Sequence, residues 1–173
     1  GIGASVQTGF RFALQNGYTV VARTDADGQH TPDELPRLIA ELERSGADMV
    51  IGSRYIEDRG YSGTAARRFG SLLLARLISF ITHQRFTDPT SGFIACNPRA
   101  IALCARWYPH DYPEPESIVM LYRAGLRLQE IPVTMHPRQG GQSSITAFRS
   151  AYYMLKVTLA IFITLLRPAV KAV

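Results

Sequence analysis

Asp25 and Asp27 stand two residues apart in the stretch ARTDADGQHTP, residues 22–32, directly after the run YTVVA at 18–22. An apolar run of that kind reads as a strand, and the two carboxylates sit where it ends. Such a pair places hard oxygen ligands near one point, and Mg²⁺ and Mn²⁺ favour such ligands and share their coordination with substrate phosphates. Gln29 lies close enough in sequence to join them. A calcium loop counted from Asp25 would need a glutamate at its twelfth position, where Pro36 stands. A phosphatase opening on Asp-x-Asp-Gly would want Thr or Val in place of Gln29, a lysine and a later acidic pair. No lysine precedes Lys156. A capped loop with two solvated acids is the plainest alternative.

The surrounding pattern supplies the elements that must hold this turn. Residues 4–16 have helical spacing, with Val6, Phe10, Ala13 and Leu14 on one side and Gly17 as a stop. Residues 19–23 read as a buried strand. Thr31 is placed to cap the next helix, with Pro32 first and Glu34 three residues on. That helix runs to about Arg44 with Leu35, Leu38, Ile39 and Leu42 inward, and a second strand follows at 48–52. Strand, helix and strand form a βαβ unit with parallel strands. Further helices are expected at 65–83, 99–107, 115–125 and 145–166, and strands at 91–96 and 128–135. Residues 57–64, 108–115 and 137–144 read as loops. The class is α/β, with ligand loops at the C-terminal ends of the strands.

Composition narrows the partners. The chain has 173 residues and a net charge of +5. Lys156 and Lys171 are the only lysines among 19 basic residues, so arginine dominates, and arginine grips phosphate with a planar fork. The arginines are scattered, with no alternation of basic and aromatic residues on one strand, which argues against nucleic acid. Cys96 and Cys104 form no zinc or disulfide pattern, as in a reduced cytoplasmic protein. No signal peptide is visible, and the opening Gly1-Ile2-Gly3 reads like the interior of a longer protein. Residues 157–166 are all apolar or Thr, with Tyr152, Tyr153 and Lys156 before them and Arg167 and Lys171 after. Ten residues are too few to span a bilayer, and such a helix suits a membrane surface or a helix-mediated dimer.

Six fragments, in order, carry a resemblance: GIGASVQTGF, DADGQH with Pro32 and Glu34, DMVIGSRY, RRFGS, DPTSGF, and EIPV followed by RQGGQSS. The chain resembles glycosyltransferase family 2, and within it the polyprenyl-phosphate sugar synthases, the group that includes the dolichyl-phosphate mannose synthases. The resemblance implies a GT-A, Rossmann-like fold, with a partial catalytic domain over 1–144 and an amphipathic, interfacial helix over 145–173. It implies an inverting hexosyltransferase moving a sugar from a nucleotide diphosphate to a polyprenyl phosphate or a cell-surface glycan precursor, peripheral to the inner face of the cell membrane. Asp25, Asp27 and Gln29 would hold Mg²⁺ or Mn²⁺. Asp27, Asp88 and Glu116 would be catalytic. Gln29, Arg54, Arg67, Arg68, Ser91, Arg138 and Ser143 would bind substrate, with Arg138 and Ser143 in a closing loop. Arg67 and Arg68 are adjacent, so on a helix they point about 100° apart and at most one faces the site.

Relatives of this kind begin with a strand and an Asp-Asp-Gly-Ser-like stretch for the base and ribose, neither of which is present here. The expectation is a chain that starts midway through the nucleotide-binding half. A non-catalytic nucleotide-sugar-binding or membrane-docking module is the alternative function.

Overall fold

In the computed structural model, residues 1–57, 65–136 and 147–169 are described, without the side chains of 65–67 and 147–151. The α/β expectation holds: among the described residues six α-helices pack around a four-stranded mixed sheet. The strands are β1 (Val21–Arg23), β2 (Met49–Ser53), β3 (Ile94–Cys96) and β4 (Leu128–Pro132). Their order is β1-β3-β2-β4. β1 and β2 run in the same direction, as the βαβ pattern requires, but they are not neighbours. β3 lies between them, antiparallel to both, and β4 pairs in parallel with β2.

The pleat sorts the core into two layers. Val50 and Ala95 face α2 (Leu35–Ser45), which covers one side of the sheet with Leu38 and Leu42. Met49, Ile51, Ile94 and Cys96 face the larger core. That core takes in α1 (Ile2–Gln15), α3 (Ala65–Thr82), α4 (Pro98–Arg106), α5 (Pro113–Arg123) and α6 (Ala147–Leu166). α6 enters it through Val157 and Ile161, both almost fully buried.

Several expected features differ in detail. β1 is an edge strand rather than a buried one, with Ala22 exposed. On α1, Gln7 and Gly3 join Phe10 and Ala13 on the buried face, while Leu14 is exposed. Gly3 is needed for that face to dock, because its amide donates to the His110 carbonyl and an added Cβ would lie 2.0 Å from the Pro109 oxygen. Gly3→Ala is therefore expected to cost about 3 kcal/mol in urea unfolding, since a backbone carbonyl cannot swing aside. Thr31 precedes a single 3₁₀ turn (Pro32–Glu34), not α2 itself, and its hydroxyl makes no cap. Glu34 turns away to accept from the Thr134 amide at 3.1 Å, so the capping box does not form. α4 is capped instead by Asn97, whose side chain accepts from the Ala100 amide at 3.1 Å.

Candidate active site

The acid turn leaves the C-terminal end of β1 and is pinned by its own side chains and by the segment after β4. The Gln29 amide donates to Asp27 Oδ1 at 3.1 Å, closing a tight turn around Gly28, whose φ of 75° suits glycine. The Asp25 amide donates to His30 Nδ1 at 2.9 Å. Nδ1 is thus an acceptor, and the neutral ring carries its proton on Nε2. The His30 ring stacks on Phe93 at 4.6 Å. The His136 amide donates to the Gln29 carbonyl at 2.9 Å, and His30 bridges to Met135. The turn is therefore tied to the sheet from two sides before any ligand arrives.

Burial lowers the pKa of His30 below its ordinary 6.5, while Asp25 and Asp27 pull the other way and Arg54 and Arg23 add to the lowering. A lowered histidine means that the unfolded chain binds more protons. The stability it contributes is complete above pH 6.5 and lost as pH falls below that value toward the folded pKa. In metal-free protein, urea midpoints should fall on acidification, and His30→Asn, whose Oδ1 can replace the Nδ1 acceptor without titrating, should flatten that fall.

A second cluster stands behind the turn. Asp88 is fully buried and grips Arg54 in a fork, with Oδ2 to Nε and Oδ1 to Nη2 both at 2.6 Å. Its Oδ2 also accepts from the Arg54 amide at 3.1 Å, and Thr90 Oγ1 accepts from Arg54 Nη2 at 2.9 Å. Below Asp88 lies Glu130 of β4. It accepts from the Thr87 amide and hydroxyl and from the Asp88 amide at 2.7–2.8 Å. Burial raises the pKa of Glu130, against those hydrogen bonds. Asp88 thus orients Arg54, and Glu130 orients the segment that carries Asp88. Ser91 is buried as well, and its hydroxyl donates to the Gly52 carbonyl at 2.6 Å. Gly52, beside Arg54, makes room for packing: an added Cβ would lie 2.8 Å from the Phe93 ring.

Glu116 is in a different place. Its Oε1 accepts from Thr164 of α6 at 2.8 Å, in a cavity of about 640 Å³ between α5 and α6. The acid of α5 that reaches the turn is Glu114, two residues earlier and so about 200° away around the helix. Glu114 Oε1 binds Arg23 Nη2 at 2.7 Å, and the same nitrogen lies 3.5 Å from Asp25 Oδ1. Arg68 is exposed on the first turn of α3. The side chain of Arg67, and all of Arg138 and Ser143, lie outside the described residues.

A sequence model described as glycosyl transferase family 2 matches residues 1–104. The chain belongs to glycosyl transferase family 2. It is 31% identical over 172 residues to the polyprenol monophosphomannose synthase of Mycolicibacterium smegmatis, covering 91% of this chain and 60% of that one. It is 31% identical to the undecaprenyl-phosphate mannosyltransferase of Micrococcus luteus, covering 84% of this chain and 61% of the other. A UDP-N-acetylglucosamine–dolichyl-phosphate N-acetylglucosaminyltransferase of Methanococcus voltae is 23% identical, covering 92% and 66%. The chain spans about three-fifths of the length of the first two. The mixed sheet agrees with the GT-A, Rossmann-like fold expected of the family.

Sequence reasoning passed over Arg23, Glu114 and Glu130. Arg23 had a signal: two residues before Asp25 at a strand end, it shares that residue's side. Glu130 stood in the quoted fragment EIPV, but nothing local distinguishes a buried carboxylate there from a solvated one.

Proposed function

We propose that the chain is the catalytic part of a metal-dependent, inverting glycosyltransferase. It would move a sugar from a nucleotide diphosphate to a polyprenyl phosphate or a cell-surface glycan precursor. The observation that carries this reading is the pinned acid turn, with Asp25 and Asp27 at the end of β1 and Arg54 near enough for its charge to act on His30. The names of the relatives support the acceptor class.

Asp25, Asp27 and Gln29 would hold Mg²⁺ or Mn²⁺. Two carboxylates and an amide oxygen fit a hard cation. Among the described residues no group of three His, Cys, Asp or Glu could hold a metal by itself, so a substrate phosphate would have to complete the coordination. When bound, the ion supplies positive charge to the departing diphosphate. Arg54 would contribute donors whose orientation Asp88 fixes, its charge largely balanced by that carboxylate. One of Arg67 and Arg68 would meet the acceptor phosphate, and Arg138 the donor diphosphate. A polyprenyl phosphate is already ionised and needs no base, so the engagement of Glu116 with Thr164 costs the reaction nothing. Thermal shifts across a panel of nucleotide sugars test the donor site. A stabilisation that requires Mn²⁺ and is absent in Asp25→Asn is expected, and one indifferent to both would refute it.

The surface of α3 and α6 supports a place at a membrane, for which we propose the inner face. No helix among the described residues is long and apolar enough to cross a membrane. Yet Phe69, Leu72, Phe80, Leu155, Leu159, Phe162 and Leu166 are all exposed, Phe80 at 78% and Leu155 at 70%. The two helices border one open apolar groove lined by Leu73, Leu77 and Leu155. Neither 65–87 nor 147–173 contains an acidic residue, while both contain arginines. An apolar face with cationic flanks and no anions suits anionic lipid. Deleting α6 would not test this, because Val157 and Ile161 belong to the core. The combined change Leu155→Glu, Leu159→Glu and Phe162→Glu should abolish co-sedimentation with anionic vesicles, with circular dichroism unchanged. Retained binding would point to a helix-mediated dimer or to another surface.

A further inference from the structure

Arg23 is a cation where the metal reading wants none. It emerges from β1 two residues before Asp25, and its side chain is only 12% exposed, so it cannot swing into water. Its Nη1 is buried without a hydrogen-bond partner. Nη2 stands between two carboxylates, 2.7 Å from Glu114 and 3.5 Å from Asp25. Glu114 is 17% exposed and Asp25 43%. Both competitors crowd one patch of backbone: a Cβ on Gly92 would lie 3.0 Å from Arg23 Nη2 and 3.0 Å from Asp25 Oδ1. Burial works against the charge of Arg23, yet Glu114, by charge and hydrogen bond, holds its pKa above the ordinary value. Glu114 lies in the first turn of α5, where the helix dipole favours an ionised carboxylate.

We infer that Glu114 is a positioning residue that keeps Arg23 at the long 3.5 Å contact with Asp25 instead of a close pairing, and so leaves the Asp25 carboxylate available to a divalent cation. The inference rests on the reading of Asp25 as a metal ligand. Without Glu114, the buried guanidinium has Asp25 as its nearest carboxylate, and closing the present 3.5 Å contact would put a fixed positive charge hard against the ligand oxygen. Arg23 with Glu114 is then a neutral unit placed beside the acid turn, and Arg23 alone would be a built-in competitor of the metal.

The test reads metal binding directly, by electron paramagnetic resonance of free Mn²⁺ titrated with the protein, with no substrate present. Glu114→Gln should weaken Mn²⁺ binding about tenfold, a magnitude set by one unscreened charge a few ångströms from a half-exposed ligand. The double change Arg23→Met with Glu114→Gln should restore it, because the competitor leaves with its keeper. If Glu114→Gln does not fold, Glu114→Asp decides: it keeps the charge but shortens the reach to Arg23, so Mn²⁺ binding should weaken, whereas unchanged affinity would overturn the inference. A structural role alone predicts a lower melting temperature with unchanged Mn²⁺ affinity, and that result would overturn the inference while leaving the metal reading intact. If Asp25→Asn binds Mn²⁺ as well as the unaltered chain does, the metal reading fails and the inference falls with it.

Discussion

Asp27→Asn is expected to reduce Mn²⁺-dependent sugar transfer about a thousandfold, the scale of losing a preorganised charge at a developing anion. The substitution is conservative in shape. Asn keeps the oxygen that accepts from the Gln29 amide, so the turn around Gly28 survives and the melting temperature should hardly move. Only the charge offered to the cation is lost. Steady-state rates across a Mn²⁺ series separate the two effects. An Asp27→Asn protein with the original metal dependence would remove Asp27 from the ligand set.

The second large effect falls on stability. Asp88→Ala leaves the Arg54 guanidinium, only 13% exposed, without the carboxylate that meets it in a two-point fork. Breaking a buried ion pair from one side costs about 3–5 kcal/mol, because the group that remains keeps its desolvation cost and loses this carboxylate. Here the Arg54 amide and the Thr90 hydroxyl lose an acceptor as well. Chemical denaturation should place the variant in that range. A loss under about 1 kcal/mol would show that water or the side chain's own freedom relieves Arg54, and that the fork does little to fix it.

The elements that sequence made legible are those whose signals are local. α2 carries its apolar face at Leu38 and Leu42 and ends at Gly46 in the left-handed region, close to the limit expected near Arg44. The acid turn was legible because its residue types stand together in one short stretch. What was not legible depends on contacts far apart in the chain. The intrusion of β3 between β1 and β2 is a long-range pairing that no run of residues announces. Glu34 fits a capping box by spacing, yet its partner is Thr134, a hundred residues on. The choice of Glu116 over Glu114 is the same kind of difficulty. Both stand in the first turn of α5, and only the rotation of that helix against β1 and α6 decides which meets Arg23 and which meets Thr164. Asp88 and Ser91 were found, but their burial and internal partners come from the packing of β2 against β4 and not from the motif.

The most direct test of the account is transfer itself. The protein is incubated with a panel of labelled nucleotide sugars, undecaprenyl phosphate and Mn²⁺, and label is counted in the organic phase. The account predicts organic-soluble label with at least one donor, abolished by chelation of the metal and by Asp27→Asn. Label that stays in water for every donor, while the donors bind with Mn²⁺, would contradict it and favour a module that binds nucleotide sugar without catalysis.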